Sequence, residues 1–467
     1  MTFNDKRAVL VASTTAAFLT PLMASSVSVA LPSIGREFAM DALSVSWVAT
    51  SAVLAAAMFL VPFGRLADIY GRKRIFNYGI VVFTIFSFLS GIAPTGALLI
   101  ASRAMQGMGA AMIFGTSVAI LTSAYEPAER GRVLGINVAA TYTGLSLGPF
   151  IGGFLTQHLG WRSIFFLNAI LGFLIIVMVM WRLKSEWAEA HGEKFDIPGS
   201  LLYMVSLTAL MIGFSKLPGS LGVWGVGAGL CGLVGFVLWE QRTPKPLLDV
   251  SLFARNPVFT FSNIAALINY SATSAVTFLV SFYLQYIKAL SPQTAGLILV
   301  AQPVMMALFS PLAGRLSDSV EPRVVASIGM SIITVGLGLL AMVGKETSTL
   351  LVTIYLLLLG FGFALFSSPN TNAIMSSVEK KLYGVASATF GTMRLTGQMM
   401  SMGIVMLIFA VIIGNVQITP EYYPMFLQSM RISFIVFAVL CVLGVFASLA
   451  RGTVHKTENV TSSSVEP

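Results

Sequence analysis

Arg103, a few residues into one long apolar stretch of this 467-residue chain, and Arg394, well inside another, are the charges that read as buried in the membrane, so their chemistry needs explaining first. A guanidinium in such surroundings must find carbonyls, amides or water. Each arginine either presents a fixed positive charge to a ligand or hydrogen-bonds neighbouring backbone, and the sequence leaves both roles open. The 19 acidic residues fall instead in polar breaks or at the ends of apolar runs. One apolar stretch is unusually polar, carrying Asn263, Asn269, Tyr270, Ser271, Thr273, Tyr283 and Gln285 beside Phe278 and Phe282. That mixture suits a cavity wall for large amphiphiles, with interhelical hydrogen bonding as the alternative. Another stretch gathers Gly144, Gly148, Pro149, Gly152 and Gly153. Small residues at this spacing let helices approach closely and a proline bends the helix, which fits either a face that rocks against a neighbour or a static seam. Gly360, Gly362, Pro369, Asn370 and Asn372 form a related pattern.

The elements that position these residues follow from composition. The chain is 56% hydrophobic and 10% charged, with a mean hydropathy of +0.85, whereas about a quarter of the residues in a soluble globule are charged. This is a polytopic all-α membrane protein. Its net charge of +9 is scattered through short hydrophilic breaks and not clustered on one face, which argues against a nucleic-acid partner. Cys231 and Cys441 lie in apolar runs, and His158, His191 and His455 are far apart. Neither a disulfide nor a metal site is indicated, no cofactor is expected, and no nucleophile-base cluster supports an enzyme acting on lipid.

With about 20 apolar residues per crossing, the sequence predicts fourteen spans. They fall near residues 8–32, 45–64, 75–94, 97–122, 133–156, 162–182, 197–215, 220–239, 258–287, 292–313, 323–343, 349–369, 384–414 and 428–450. The division expected is a six-helix bundle over 1–183, a connector with two extra spans over 184–256, a second six-helix bundle over 257–452, and a disordered tail over 453–467. Of the 28 basic residues, twenty lie at the termini and in the loops on their side, six lie in the opposite loops, and Arg103 and Arg394 remain. Short basic loops stay in the cytoplasm, so both termini are expected there, with the protein in the cell membrane in contact with lipid.

The break from Gly64 to Arg74, GRLADIYGRKR, returns in degraded form as GRLSDSVEPR from Gly314 to Arg323. The spacing of the copies says that a helix bundle has been duplicated. The first copy resembles the loop signature of the major facilitator superfamily. RAMQGMGAA, with Arg103 and Gln106, resembles that family's fourth-span signature, and GLSLGPFIGG resembles the fifth-span signature of antiporters. WRSIFFLN, FDIPGSLL, PLLDVSLF, YLQYIKALSPQTAGL and RLTGQ resemble segments of its fourteen-spanner drug:proton antiporters, in the same order. The resemblance implies two pseudo-symmetric bundles plus two inserted helices, export by alternating access, and a central cavity lined by spans 1, 4, 5, 9, 10 and 13. It also implies a latch in which Gly64, Asp68, Gly71 and Arg72, with Asp318 in the second copy, connect to the start of the thirteenth span.

One departure matters. The family's first-span motif, L-D-x-T-I-V-N-V-A-L-P, appears here as LMASSVSVALP, with Met23 in place of the aspartate and Ser28 in place of the asparagine. In the family, that aspartate is the usual membrane-embedded proton or cation acceptor. The expected function is export of drugs or other amphiphilic small molecules, with protons as the candidate coupling ion. The alternatives are export or downhill passage of a native metabolite or lipid without proton coupling, and a ligand-binding membrane receptor. Expected substrate or coupling residues are Arg103, Gln106, Met23, Ser28, Asn263, Asn269, Gln285 and Arg394. The protein is expected to act as a monomer on a small-molecule substrate.

Overall fold

The structure, a computed structural model, describes residues 3–182, 186–188, 190, 192–244, 246–248, 250–379 and 382–452. The expected tail, 453–467, lies outside the described residues. Fourteen helices are long and apolar enough to cross a membrane: α1 (Lys6–Glu37), α2 (Ala42–Tyr70), α3 (Arg72–Gly91), α4 (Gly96–Ala124), α5 (Arg132–Leu159), α6 (Arg162–Trp181), α7 (Ile197–Lys216), α8 (Ser220–Glu240), α9 (Pro257–Ile287), α10 (Pro292–Ser317), α11 (Pro322–Ala341), α12 (Thr349–Ser376), α13 (Tyr383–Ile412) and α14 (Pro420–Ala450). Several of their starts are set by side chains that satisfy free backbone N–H groups. The Asp41 carboxylate accepts from Ser44 N at 2.7 Å, Asn256 Oδ1 from Phe259 N at 3.0 Å, and Ser348 Oγ from Leu351 N at 3.3 Å.

Helices α1–α6 pack into one bundle and α9–α14 into a second. The duplication predicted from the two loop copies recurs in the packing. In the first bundle, a Cβ on Gly107 of α4 would strike the Ala52 carbonyl of α2, and one on Gly109 would strike the Gly79 and Phe83 backbone of α3. In the second, Gly360 of α12 lies in the same way against Gln302 of α10, and Gly362 against Gly329 of α11. Gly79 and Gly329 stand equally far beyond the loop glycines Gly64 and Gly314. The same short side chains thus fix the same three-helix wedge twice.

The inserted pair α7 and α8 packs on itself, and α7 reaches both bundles. Tyr203 Oη donates to the Ala57 carbonyl of α2 at 3.2 Å, while Gly403 of α13 leaves room for Phe214. Helix α9 ends in a π-helical turn, Tyr283–Ile287, a distortion that often marks functional positions.

Candidate functional site

Side chains from both bundles meet around Arg394 of α13. Its guanidinium carbon lies 5.4 Å from the centroid of the Phe114 ring on α4, a cation-π arrangement across the interface between bundles. The residue is half-buried, and its Nε is enclosed with no hydrogen-bond partner. Tyr270 of α9 sits within interaction range of Arg394, Tyr142 and Ser367. Tyr142 of α5 and Ser367 of α12 share a hydrogen bond of 3.1 Å. The Tyr270 ring stands edge-on to Phe363 at 5.6 Å and tilted against Phe390 at 6.4 Å. On α1, Ala24 is exposed and Ser28 half-buried, so an inner helix turns one face to open space. Five helices therefore supply aromatic faces, hydroxyls and one guanidinium with unused hydrogen-bonding capacity. Such a set can hold a flat, partly polar molecule by stacking, with a charge-assisted bond to an anionic or carbonyl oxygen.

The other expected substrate residues lie elsewhere. Arg103 is 4% exposed. Its Nε donates to the Val48 carbonyl of α2 at 3.2 Å, its Nη1 donates to Gln106 Oε1, and Gln106 Nε2 donates to Ser87 Oγ of α3 at 2.5 Å. Arg103 and Gln106 thus join α2, α3 and α4 inside one bundle. Met23 is 1% exposed in the apolar core. Asn263 and Asn269 are both fully buried in α9, where Asn263 Nδ2 donates to the Phe259 carbonyl at 2.9 Å and neither amide atom of Asn269 has a partner. Ser28 and Arg394 are the two expected substrate residues that are half-buried rather than buried.

Gln285 instead pins the bundles together on the side opposite the termini. Its Nε2 donates to the Val29 carbonyl of α1 at 2.8 Å, the next residue Tyr286 donates to the Pro32 carbonyl at 3.4 Å, and Arg36 lies over the Tyr286 ring at 5.0 Å. Ala42 N donates to the Val416 carbonyl at 3.0 Å on the same side.

The glycine run of α5 serves two neighbours. Cβ atoms on Gly144, Gly148 and Gly152 would collide with Phe18, Ser25 and Ser26 of α1 in the same bundle. One on Gly153 would collide with the Pro292 carbonyl of α10 in the other bundle, and Gly296 of α10 returns the contact against the Pro149 carbonyl.

At the terminus side, Arg72 Nε donates to Asp68 Oδ1 at 2.8 Å and Arg72 Nη1 to Ser123 Oγ of α4 at 2.6 Å. The connector closes over this turn. Arg72 N donates to the Trp187 carbonyl at 2.8 Å, Lys73 N to Glu186 Oε1 at 2.9 Å, and Ala190 N to the Asp68 carbonyl at 2.9 Å, while Arg65 pairs with Glu193 at 2.5 Å. Gly71 adopts φ +119° with the Glu186 carboxylate where a side chain would stand, and a Cβ on Gly64 would meet nothing. The side chain of Asp318 lies outside the described residues. Sequence reasoning did not single out Phe114, Tyr142, Ser367, Phe363 or Phe390. A tyrosine in mid-span two residues before a glycine run was a usable signal for Tyr142, whereas a phenylalanine in an apolar helix carries none.

Two similarly built six-helix bundles with a polar and aromatic centre between them define a membrane transport protein and not an enzyme. The chain belongs to the Major Facilitator Superfamily, whose family model matches residues 14–402 and 262–466. It is 31% identical over 380 residues to the riboflavin transporter RibZ of Clostridioides difficile, covering 81% of this chain and 82% of that protein. It is 32% identical over 397 residues to the multidrug resistance protein Stp of Mycobacterium tuberculosis, covering 83% and 73%, and 31% identical to the cephamycin export protein CmcT of Amycolatopsis lactamdurans, covering 83% and 82%. The fold is shared with a bacterial homologue of the lysosomal transporter Spinster, with a TM-score of 0.70 at 15% identity over 97% of this chain and 98% of that one. It is likewise shared with a peptide transporter POT, with a TM-score of 0.70 at 13% identity over 94% and 95%.

Proposed function

We propose that this transporter exports amphiphilic, partly aromatic small molecules by alternating access, with the two bundles rocking about the Arg394 cluster. The observation that carries this reading is that cluster: both bundles contribute to it, its surfaces are aromatic, and Arg394 Nε is enclosed without a hydrogen-bond partner. A fixed guanidinium favours anionic or neutral substrates over dications. Relatives named for riboflavin, tetracenomycin C and cephamycin are consistent with polycyclic or acidic cargo. In this reading the basic loops place both termini in the cytoplasm of a cell-membrane protein. The pins around Gln285 then close the outside, and the state described faces inward.

Proton-linked export requires a titrating group, and Met23 supplies none. Asp68, about one-third exposed beside Arg72, is the candidate. The burial of Met23 favours a second reading, in which the protein lets a native aromatic metabolite run downhill without protons. Reconstituted vesicles loaded with a fluorescent planar anion test both. Uphill movement under an imposed proton gradient, lost in Asp68→Asn, supports coupled export; downhill movement under every gradient supports the second reading. Arg394→Gln should reduce transport of the anion by about tenfold, the loss of one charge-assisted hydrogen bond. Unchanged transport in that variant would remove the cluster from the substrate path.

A further inference from the structure

The lipid-facing side of the second bundle carries a charge that transport does not use. Helix α14 contains the most apolar 18-residue stretch of the fourteen spans, and it holds Arg431 on an exposed face. Arg431 Nε donates to the Ala341 carbonyl at 3.2 Å. Ala341 is the last residue of α11, so this contact caps a helix C-terminus and places the guanidinium at the level where α11 leaves the membrane. The two Nη groups have no partner, and Arg431 forms no ion pair among the described residues.

Beside the guanidinium runs a groove of about 500 Å³ between α11 and α14. Ile435, Ala438, Val439 and Val442 of α14 line one wall at helical spacing below Arg431, and Gly338 of α11 lines the other. From Arg431 to Val442 the groove descends roughly 16 Å, at 1.5 Å per residue. A Cβ on Gly338 would meet nothing within 4 Å, so the glycine leaves space there that no neighbour fills. Water can satisfy the outward N–H groups of an arginine at an interface, but it does not fill an apolar channel of this length.

We propose that the α11–α14 groove is a binding site for one anionic phospholipid, with its phosphate on Arg431 and an acyl chain along Gly338 and Val439. The charge sits at headgroup depth, the furrow is apolar and runs parallel to the chains, and the volume falls in the range of ordinary ligand sites. Headgroup phosphate supplies the acceptors that the Nη groups lack.

The test is native mass spectrometry of the purified full chain after equilibration with vesicles of phosphatidylglycerol or phosphatidylcholine. The wild type should retain phosphatidylglycerol in preference to phosphatidylcholine. Arg431→Gln should lower that preference about fivefold, the equivalent of about 1 kcal/mol per basic residue at a membrane surface. Gly338→Leu, which fills the groove and improves helix propensity, should lower retention of both lipids while leaving thermal stability intact. Equal retention of the two lipids by the wild type, or unchanged retention in both variants, would overturn the site. So would displacement of the lipid by inorganic phosphate alone, which needs no groove, or by a fluorescent transport substrate, which would make the groove a cargo site.

Discussion

The two turns descended from the GR-x-x-D pattern are held in opposite ways. At the first, Asp68, Arg72, Arg65 and Arg74 are clasped by each other and by Glu186 and Glu193 of the connector, and the carboxylates remain about one-third exposed. At the second, Pro322 stands where the first copy has Arg72. There Asn372 Nδ2 of α12 donates to Ser317 Oγ of α10 at 3.0 Å. Nearby lies Arg451, at the end of α14 and fully buried, whose guanidinium donates to Ser262 at 3.3 Å, Asn370 at 3.1 Å and Ser448 at 2.5 Å. Exposed ion pairs are worth about 0–1 kcal/mol and are screened by salt, whereas each buried polar group left without its hydrogen-bond partner costs about 1–3 kcal/mol. The first turn is therefore built to release, whereas beside the second Arg451 holds α9, α12 and α14 as one body.

The largest effect that would break this contrast is at Arg451. Arg451→Leu strands the polar atoms of Ser262, Asn370 and Ser448, and should destabilise the protein in thermal unfolding in detergent by about 1–3 kcal/mol for each group left unpaired. An unchanged melting temperature would show that the joining of α9, α12 and α14 does not depend on this buried cation. Next comes Arg103, the buried cation of the first bundle. Arg103→Met leaves Gln106 without its guanidinium partner and should cost about 1–3 kcal/mol. Adding Gln106→Leu should recover most of that loss, because both partners then become apolar. If stability returns and transport does not, Arg103 also has a transport role; if both return, its role is to join three helices.

Smaller effects separate the glycines of α5. Gly153→Ala should weaken the contact with Pro292 across the bundles and raise thiol labelling of a cysteine placed at Val29, whereas Gly144→Ala collides within its own bundle and should lower stability without raising that labelling. The smallest effect is at the clasp. Glu186→Gln with Glu193→Gln should change stability by less than about 1 kcal/mol yet alter the transport rate at low salt, with the difference fading as ionic strength rises. A rate change that persists in high salt would mean that the connector acts through packing and not through charge.

All fourteen spans, the duplication, and Gly360 and Gly362 of the second wedge were legible in the sequence, because hydropathy over 20 residues and the need for small residues at a close crossing are local properties of the chain. Arg103, Gln285 and Arg394 were legible as residues that needed explaining, for a polar group at bilayer depth must be satisfied wherever it sits. Only the tertiary structure decided how. Arg103 faces α2 and α3, Gln285 reaches the Val29 carbonyl 256 positions away, and Arg394 rests on Phe114 with its Nε unpartnered. Partners so distant in sequence are chosen by how the bundles pack, and no spacing within one helix encodes that choice.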